Sequence, residues 1–300
     1  MIIKSKENFI NQVKSFDIDT EYVVVKPNWI SNTPGEFTEA EVLDWLLSAF
    51  PLHKKVVIES YTPWRGQIYA QNAIDRQEDD DLLKVNLEGG IDYWDFYKDA
   101  DTKFLKETGN DEVLKKHNAE YICVTNEFWA KDCVSPETIK GILTNHNHEF
   151  FWPECLSFMP RKLYELGDKA TLVSLAKVKQ EPSIPEVAVN LSLKNFFGLI
   201  PAPSRWVPYH DKGHTLIPNA IAEMCLVYTS VFKNSLWINE GIRTSLRNYC
   251  EHSQTIDKDL GLFFAGRDGL EVDSETCRHI GLVPENLIQL NTIKQILKPR

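Results

Sequence analysis

The sequence predicts an α/β protein, a mostly parallel sheet with helices on both faces, folded as one continuous body over residues 1–300. Three observations carry this. Two short β-branched runs, Tyr22-Val23-Val24-Val25-Lys26 and Lys55-Val56-Val57-Ile58-Glu59, have the composition of buried strands. An amphipathic helical pattern lies between them, and a strand-helix-strand unit of this length joins parallel strands. No Pro/Gly/Ser-rich hinge divides the chain, and 300 residues suffice to bury a full-sized core.

Taken in order, Phe9, Ile10, Val13 and Phe16 form one stripe of a helix near 5–16. After the first strand and Pro27, Thr38 with Glu41 suggests a capping box, and Val42, Leu43, Trp45, Leu46, Leu47 and Phe50 follow at helical spacing until Pro51. The pattern weakens over 62–118, where Trp64, Tyr69, Tyr93, Trp94, Phe96 and Tyr97 mix with acids. This stretch is expected to be an irregular insertion or lid with short helices. Strands are expected at 120–125 and 170–175, and a helix from Pro136 to Leu143. Beyond a Pro- and Lys-rich stretch, 177–214, the expected order is a helix at 217–232, a strand at 235–238, a helix at 242–250 and a last strand at 260–265.

Charge narrows the function. The net charge is -10, and thirteen Asp/Glu against five Lys/Arg between Asp75 and Glu112 account for most of it. Without a basic stripe the chain is a poor candidate for nucleic acid, whose affinity comes from neutralised phosphates. No apolar run approaches the roughly 18 residues of a membrane span. The polar start of the chain gives no export signal, so the cytoplasm is the expected compartment. Six cysteines at 123, 133, 155, 225, 250 and 277 show no CxxC, which excludes the usual zinc-ribbon and iron–sulfur patterns. They are expected to be reduced, buried small hydrophobes. Rossmann, P-loop, nucleophile-elbow and HExxH motifs are absent, so the cofactor is left open, with no NAD or nucleotide motif and no iron–sulfur cluster expected.

Candidate site residues follow from one rule: in open parallel sheets, ligands gather outside the carboxyl ends of the strands. Lys26 and Asn28 sit there after the first strand, suited to an anionic or carbonyl oxygen, although a Pro-led turn explains the same residues. Lys179 follows the strand ending at Leu175. In Asn190-Leu191-Ser192-Leu193-Lys194-Asn195-Phe196-Phe197-Gly198, an extended backbone would put Ser192 and Lys194 on one face, with Asn195 as a further candidate. Enclosure by Phe196, Phe197 and Leu199 would lower the pKa of Lys194, as a base or Schiff-base lysine needs. A lysine snorkelling over apolar surface is the alternative. Gly198 permits close approach or a positive φ. His210 suits acid/base work, or a metal with His214, though Pro208 and Gly213 oppose the helix that a metal pair needs. His146 and His148 lack a nearby third ligand. Asp268, after the last strand, is preferred over Asp273 as a functional carboxylate, with helix capping as the alternative for both.

These segments resemble the family defined as domain of unknown function 362. The matching pieces are Val25-Lys26-Pro27-Asn28, Leu175-Ala176-Lys177-Val178-Lys179, Leu191 to Gly198 with His210 following, and Gly266-Arg267-Asp268-Gly269-Leu270-Glu271-Val272-Asp273. The resemblance implies an α/β fold and names no reaction. Many members carry an appended ferredoxin-type module; the cysteines here provide none, so electron transfer is not implied. Where the family has Lys-Thr-His, this chain has Lys179-Gln180-Glu181, and no histidine role carries over to Glu181.

The expected function is an enzyme acting on a small anionic carboxylate or carbonyl compound by proton transfer, isomerase- or epimerase-like. Lys194, His210 and Asp268 are the expected catalytic residues, and Lys26, Asn28, Lys179 and Asn195 the expected substrate-binding ones, with no metal. The alternative is a non-catalytic peptide- or metabolite-binding partner using the Trp64–Tyr97 aromatics. Oligomeric state is left open.

Overall fold

The computed structural model describes residues 5–62, 65, 90–144, 146, 148–180, 185–202, 204–205, 216–245 and 260–297. Its strands are β1 (Tyr22–Pro27), β2 (Lys54–Glu59), β3 (Glu120–Cys123), β4 (Ala170–Gln180), β5 (Val189–Asn190), β6 (Asn234–Ser245) and β7 (Leu262–Gly266). They form one sheet in the order β3-β2-β1-β4-β6-β7, with β5 paired to the end of β4. The four pairings from β3 to β6 are parallel, while β7 on β6 and β5 on β4 are antiparallel. The helices are α1 (Lys6–Lys14), α2 (Ala40–Ser48), α3 (Gly90–Glu107), α4 (Asn110–Lys116), α5 (Val124–Trp129), α6 (Pro136–Ile142), α7 (Arg161–Leu166), α8 (Leu216–Val231), α9 (Gly269–His279) and α10 (Ile288–Leu297). No helix among the described residues is long and apolar enough to cross a membrane.

Alternation along the strands builds two cores. Val23 and Val25 of β1, Val173 and Leu175 of β4, and Leu236 and Ile238 of β6 pack with Phe9 and Val13 of α1 and with Leu43, Leu46 and Leu47 of α2. On the other face, Val24, Leu172, Trp237 and Phe264 pack with Ile217, Ile221 and Met224 of α8 and Ile293 of α10. At about 1.5–3 kcal/mol per buried aliphatic side chain, covering both faces fixes the sheet. Polar groups are then left to the strand ends. Local chemistry sets the helix starts: Ser5 Oγ accepts from Asn8 N at 3.3 Å, and Ser135, ahead of Pro136, accepts from Thr138 N.

Several expectations are corrected. Thr38 forms no capping box; its hydroxyl accepts from Asn28 N at 2.9 Å and donates to Leu175 O at 3.3 Å, because buried main-chain groups there need partners. The strand at 120–125 stops at Cys123, and Thr125 Oγ1 instead accepts from Tyr61 N and Ala202 N. Lys177 and Lys179 lie within β4 rather than past it, since β6 and β5 continue alongside. Residues 242–245, expected as the start of a helix, extend β6; 246–250 fall outside the described residues. In the acidic insertion, α3 runs for 18 residues, longer than the short helices expected. Its Phe104 is buried against Trp29 and Phe37, whereas Trp64 and Tyr69 lie outside the described residues. Cys123, Cys155, Cys225 and Cys277 are free and buried, and Cys133 is half-buried.

Asp273 lies in the second turn of α9 and is fully buried. Its carboxylate accepts from Ser192 N at 3.0 Å, Leu193 N at 3.1 Å, Asn239 Nδ2 at 2.8 Å and the Ser192 hydroxyl. Burial raises its pKa to about 6, against the pull of those donors. One side chain thus ties α9, β6 and the chain entering 194–199. Asp273→Ala leaves two buried backbone N–H groups unpaired and removes one of the two acceptors of the Asn239 amide, and is expected to lower the unfolding free energy by about 3 kcal/mol or more in urea titration. A loss below about 1 kcal/mol would contradict this role.

Candidate functional site

Because β1, β2, β4 and β6 are parallel, their carboxyl ends share one edge of the sheet. Lys26 closes β1 and Glu59 closes β2, and the two are 1% and 2% exposed. Lys26 Nζ donates to Glu59 Oε2 at 2.9 Å, Pro27 O at 2.7 Å and Asn195 Oδ1 at 3.2 Å, so all three of its N–H groups have acceptors. Glu59 also accepts from Trp29 N and Ser60 N. A buried charge persists only when paired and bonded in this way. Burial pushes Lys26 down to about 8, with the Glu59 carboxylate acting against the shift.

The segment after β5 is helical rather than extended. A turn at 191–193, held by Asp273, leads into a 3₁₀ helix at Lys194–Leu199. The 3₁₀ geometry turns Asn195 toward β1: its Nδ2 donates to Lys26 O at 2.8 Å and Ser174 Oγ at 3.1 Å, while its Oδ1 faces Lys26 and Asn28. At Gly198 a Cβ would lie 2.7 Å from Lys26 Nζ and 3.1 Å from Glu59 Oε1. Glycine therefore serves close approach here, not a positive φ. Arg205 folds back over this turn, donating to Gly198 O and to Ile200 O. Lys194 is 6% exposed, and its Nζ lies 3.4 Å from Val187 O.

A second buried layer lies toward α2. Lys179 donates to Asn28 Oδ1 at 2.8 Å and Glu36 O at 2.7 Å. Burial pushes it down to about 7, opposed by Glu36 and reinforced by Lys194, Lys177 and Lys26. Lys177 bridges Glu39 and Glu240, and burial raises Glu240 to about 8 although Lys177 pulls it down. Asn28, bonded to Lys179 and 3.4 Å from Asn195 Oδ1, links the two lysine groups.

Above these groups opens a narrow cleft, lined among the described residues by Lys26, Asn28, Glu59, Asn190, Lys194 and Arg205, with Trp29 and Phe197 supplying apolar wall. Among the described residues, three cations line it against one carboxylate, inside a chain of net charge -10. Among them, Lys26 is an amine that burial brings to ionise near pH 8.

Of the residues singled out from the sequence, Lys26, Asn28, Lys194 and Asn195 meet in this cleft or on its wall, and Lys179 lies behind Asn28. His210 lies outside the described residues, as does His214. Asp268 is not here. Since β7 runs antiparallel to β6, its carboxyl end lies at the amino ends of the other strands; Asp268 is exposed there and caps α9 by accepting from Leu270 N and Glu271 N. The choice between the two carboxylates is reversed: Asp268 is the cap and Asp273 the buried group. His148 bonds Glu223 at 2.9 Å, and no group of three or more His, Cys, Asp or Glu among the described residues is placed to hold a metal. Glu59, Asn190 and Arg205 were not anticipated. The strand-end rule that selected Lys26 also selects Glu59; Arg205 reaches the cleft only through a turn with no sequence signature.

A family model described as a domain of unknown function, DUF362, matches residues 23–278. The chain belongs to the DUF362 family. The matched span runs from β1 into α9 and contains every cleft residue named above. No curated protein and no solved structure matches the chain.

Gly198→Ala forces the Lys26 ammonium or the Glu59 carboxylate to move, and a buried group loses a partner. The variant is expected to lose about 1–3 kcal/mol of stability in chemical denaturation. Wild-type stability in Gly198→Ala would contradict the close approach.

Proposed function

We propose that the cleft binds a small carboxylate or carbonyl compound and moves a proton at the carbon next to its carbonyl group. The observation that carries this reading is Lys26: a buried amine, lowered to about 8, in a cleft also lined by Lys194 and Arg205. A base is most effective when its pKa lies near the working pH. Lys194 and Arg205 hold the anion, and Glu59 keeps the protonated amine in place. Release of the longest Lys26 bond, 3.2 Å to Asn195 Oδ1, lets the neutral amine turn its lone pair toward the ligand.

The C–H bond next to the carbonyl breaks, its proton passes to Lys26 Nζ, and its electron pair moves onto the carbonyl oxygen as an enolate. The cations stabilise that oxygen. Return of the proton to the opposite face of that carbon completes an epimerisation, return to the neighbouring carbon of the enediol formed from a 2-hydroxy carbonyl compound completes an isomerisation, and both restore the amine.

The test is exchange of that hydrogen with D2O, followed by NMR on a panel of two- to five-carbon 2-oxo and 2-hydroxy acids. The wild-type protein is expected to exchange a member faster as pH rises through 8. Lys26→Met/Glu59→Gln removes both charges together, so no buried carboxylate is left unpaired. It is expected to lose about 10²–10⁴-fold in rate with its circular dichroism intact. Equal exchange by this variant and the wild type would refute Lys26 as the base, and binding without exchange would leave the chain as a binding module.

A further inference from the structure

Besides Lys26, two main-chain donors fix the Glu59 carboxylate: Ser60 N donates to Oε1 at 3.0 Å and Trp29 N to Oε2 at 3.1 Å. Both donors lead to helix α3. On the Ser60 side, the Arg65 guanidinium donates to Ser60 O and to Asp101 of α3. Arg65 and Asp101 are 1% and 5% exposed, and the Tyr121 hydroxyl donates to the second Asp101 oxygen at 2.9 Å. On the Trp29 side, Phe104 of α3 packs edge-on against the indole, with ring centroids 5.8 Å apart. Arg65 lies over the same Phe104 ring at 5.4 Å, so the two sides meet.

Ser60 and Trp29 follow the ends of β2 and β1, and a segment past a strand end is only as fixed as what packs on it. Asp101 and Phe104, three residues apart, share one face of α3 and reach both segments together. A buried ion pair gains little net stability over apolar residues of the same volume, so Arg65 and Asp101 are explained better by where they hold Ser60 than by stabilisation alone. Charge acts in the same place. Burial lowers the Lys26 pKa, Glu59 opposes the shift, and the Arg205 and Arg65 charges add to it. Asp101, bonded to Arg65, counters the second of those charges.

We infer that α3 is the positioning element of the Lys26–Glu59 pair: Asp101 anchors Arg65 on Ser60 and Phe104 anchors Trp29, so both main-chain donors to Glu59 are held from outside the cleft. This rests on the reading of Lys26 as the base and adds the residues that keep it poised. Asp101, Arg65 and Phe104 are positioning residues, since none of the three is among the described residues that line the cleft.

Titration of Lys26 by ¹³C NMR and amide hydrogen exchange, both on the full chain without substrate, test the two arms. Asp101→Asn keeps the side-chain shape but leaves Arg65 less firmly anchored and its charge uncountered. Both effects lower the Lys26 midpoint, by an expected 0.5 or more in pH as an order of magnitude, about the scale of one buried charge nearby. Asp99→Asn, the same change at an exposed position of α3, is expected to leave the midpoint in place. An unmoved midpoint in Asp101→Asn, or an equal fall in Asp99→Asn, would overturn the Arg65 arm. Phe104→Leu alters no charge; the Trp29 amide hydrogen is expected to exchange at least about tenfold faster, while the Val24 amide inside the sheet keeps its rate. An unchanged Trp29 rate, or equal acceleration at Val24, would overturn the Phe104 arm. Both arms holding while no 2-oxo or 2-hydroxy acid exchanges its hydrogen would overturn the base reading alone and support α3 as the element that holds the pair.

Discussion

The Lys26–Glu59 ion pair is the constraint on which the rest of this edge depends. Both side chains are withdrawn from water at the ends of adjacent parallel strands, and desolvation makes each intolerable alone. Its hydrogen bonds account for much of the surrounding geometry. Asn195 must present an oxygen to the ammonium, the loop after Pro27 must turn Trp29 N toward the carboxylate, and position 198 must lack a side chain. Asp273, on the far side of the 191–193 turn, holds that arrangement from behind.

The sheet determines where polar chemistry can occur. Its two faces are consumed by the apolar cores, so buried charge collects at the carboxyl edge, where strands end and loops supply donors. Lys26, Lys177, Lys179 and Lys194 are all buried there, countered by Glu36, Glu59 and Glu240. Burial makes Lys26 and Lys179 give up protons more readily than exposed lysines do, which turns a structural necessity into a reactive one.

Much of this was legible in the sequence. The β-branched runs at 22–26 and 55–59 gave the parallel core because residues buried on both faces must be continuously apolar. The strand-end rule located Lys26 and Asn28; it named Lys179 too, but on a strand end at Leu175 that β4 overruns to Gln180. It failed at Asp268 because strand direction is not written in composition: β7 pairs antiparallel, which places its carboxyl end at the opposite edge. Lys194 and Asn195 were found for the wrong local reason, as an alternating strand, where a 3₁₀ turn pinned by Asp273 brings them in. Asn239, which bonds Asp273, and Arg205 depend on long-range contacts without local pattern, and so were out of reach.

The ionisation of Lys26 reports most directly on the buried pair. Lysine side chains labelled with ¹³C at Cε can be titrated by NMR, with the Lys26 signal assigned by its loss in Lys26→Met. A midpoint near 8 is expected for Lys26, and a still lower one in Glu59→Gln, where the opposing carboxylate charge is removed. A midpoint at the ordinary lysine value of about 10.4, unmoved by Glu59→Gln, would contradict the buried pair and the chemistry built on it.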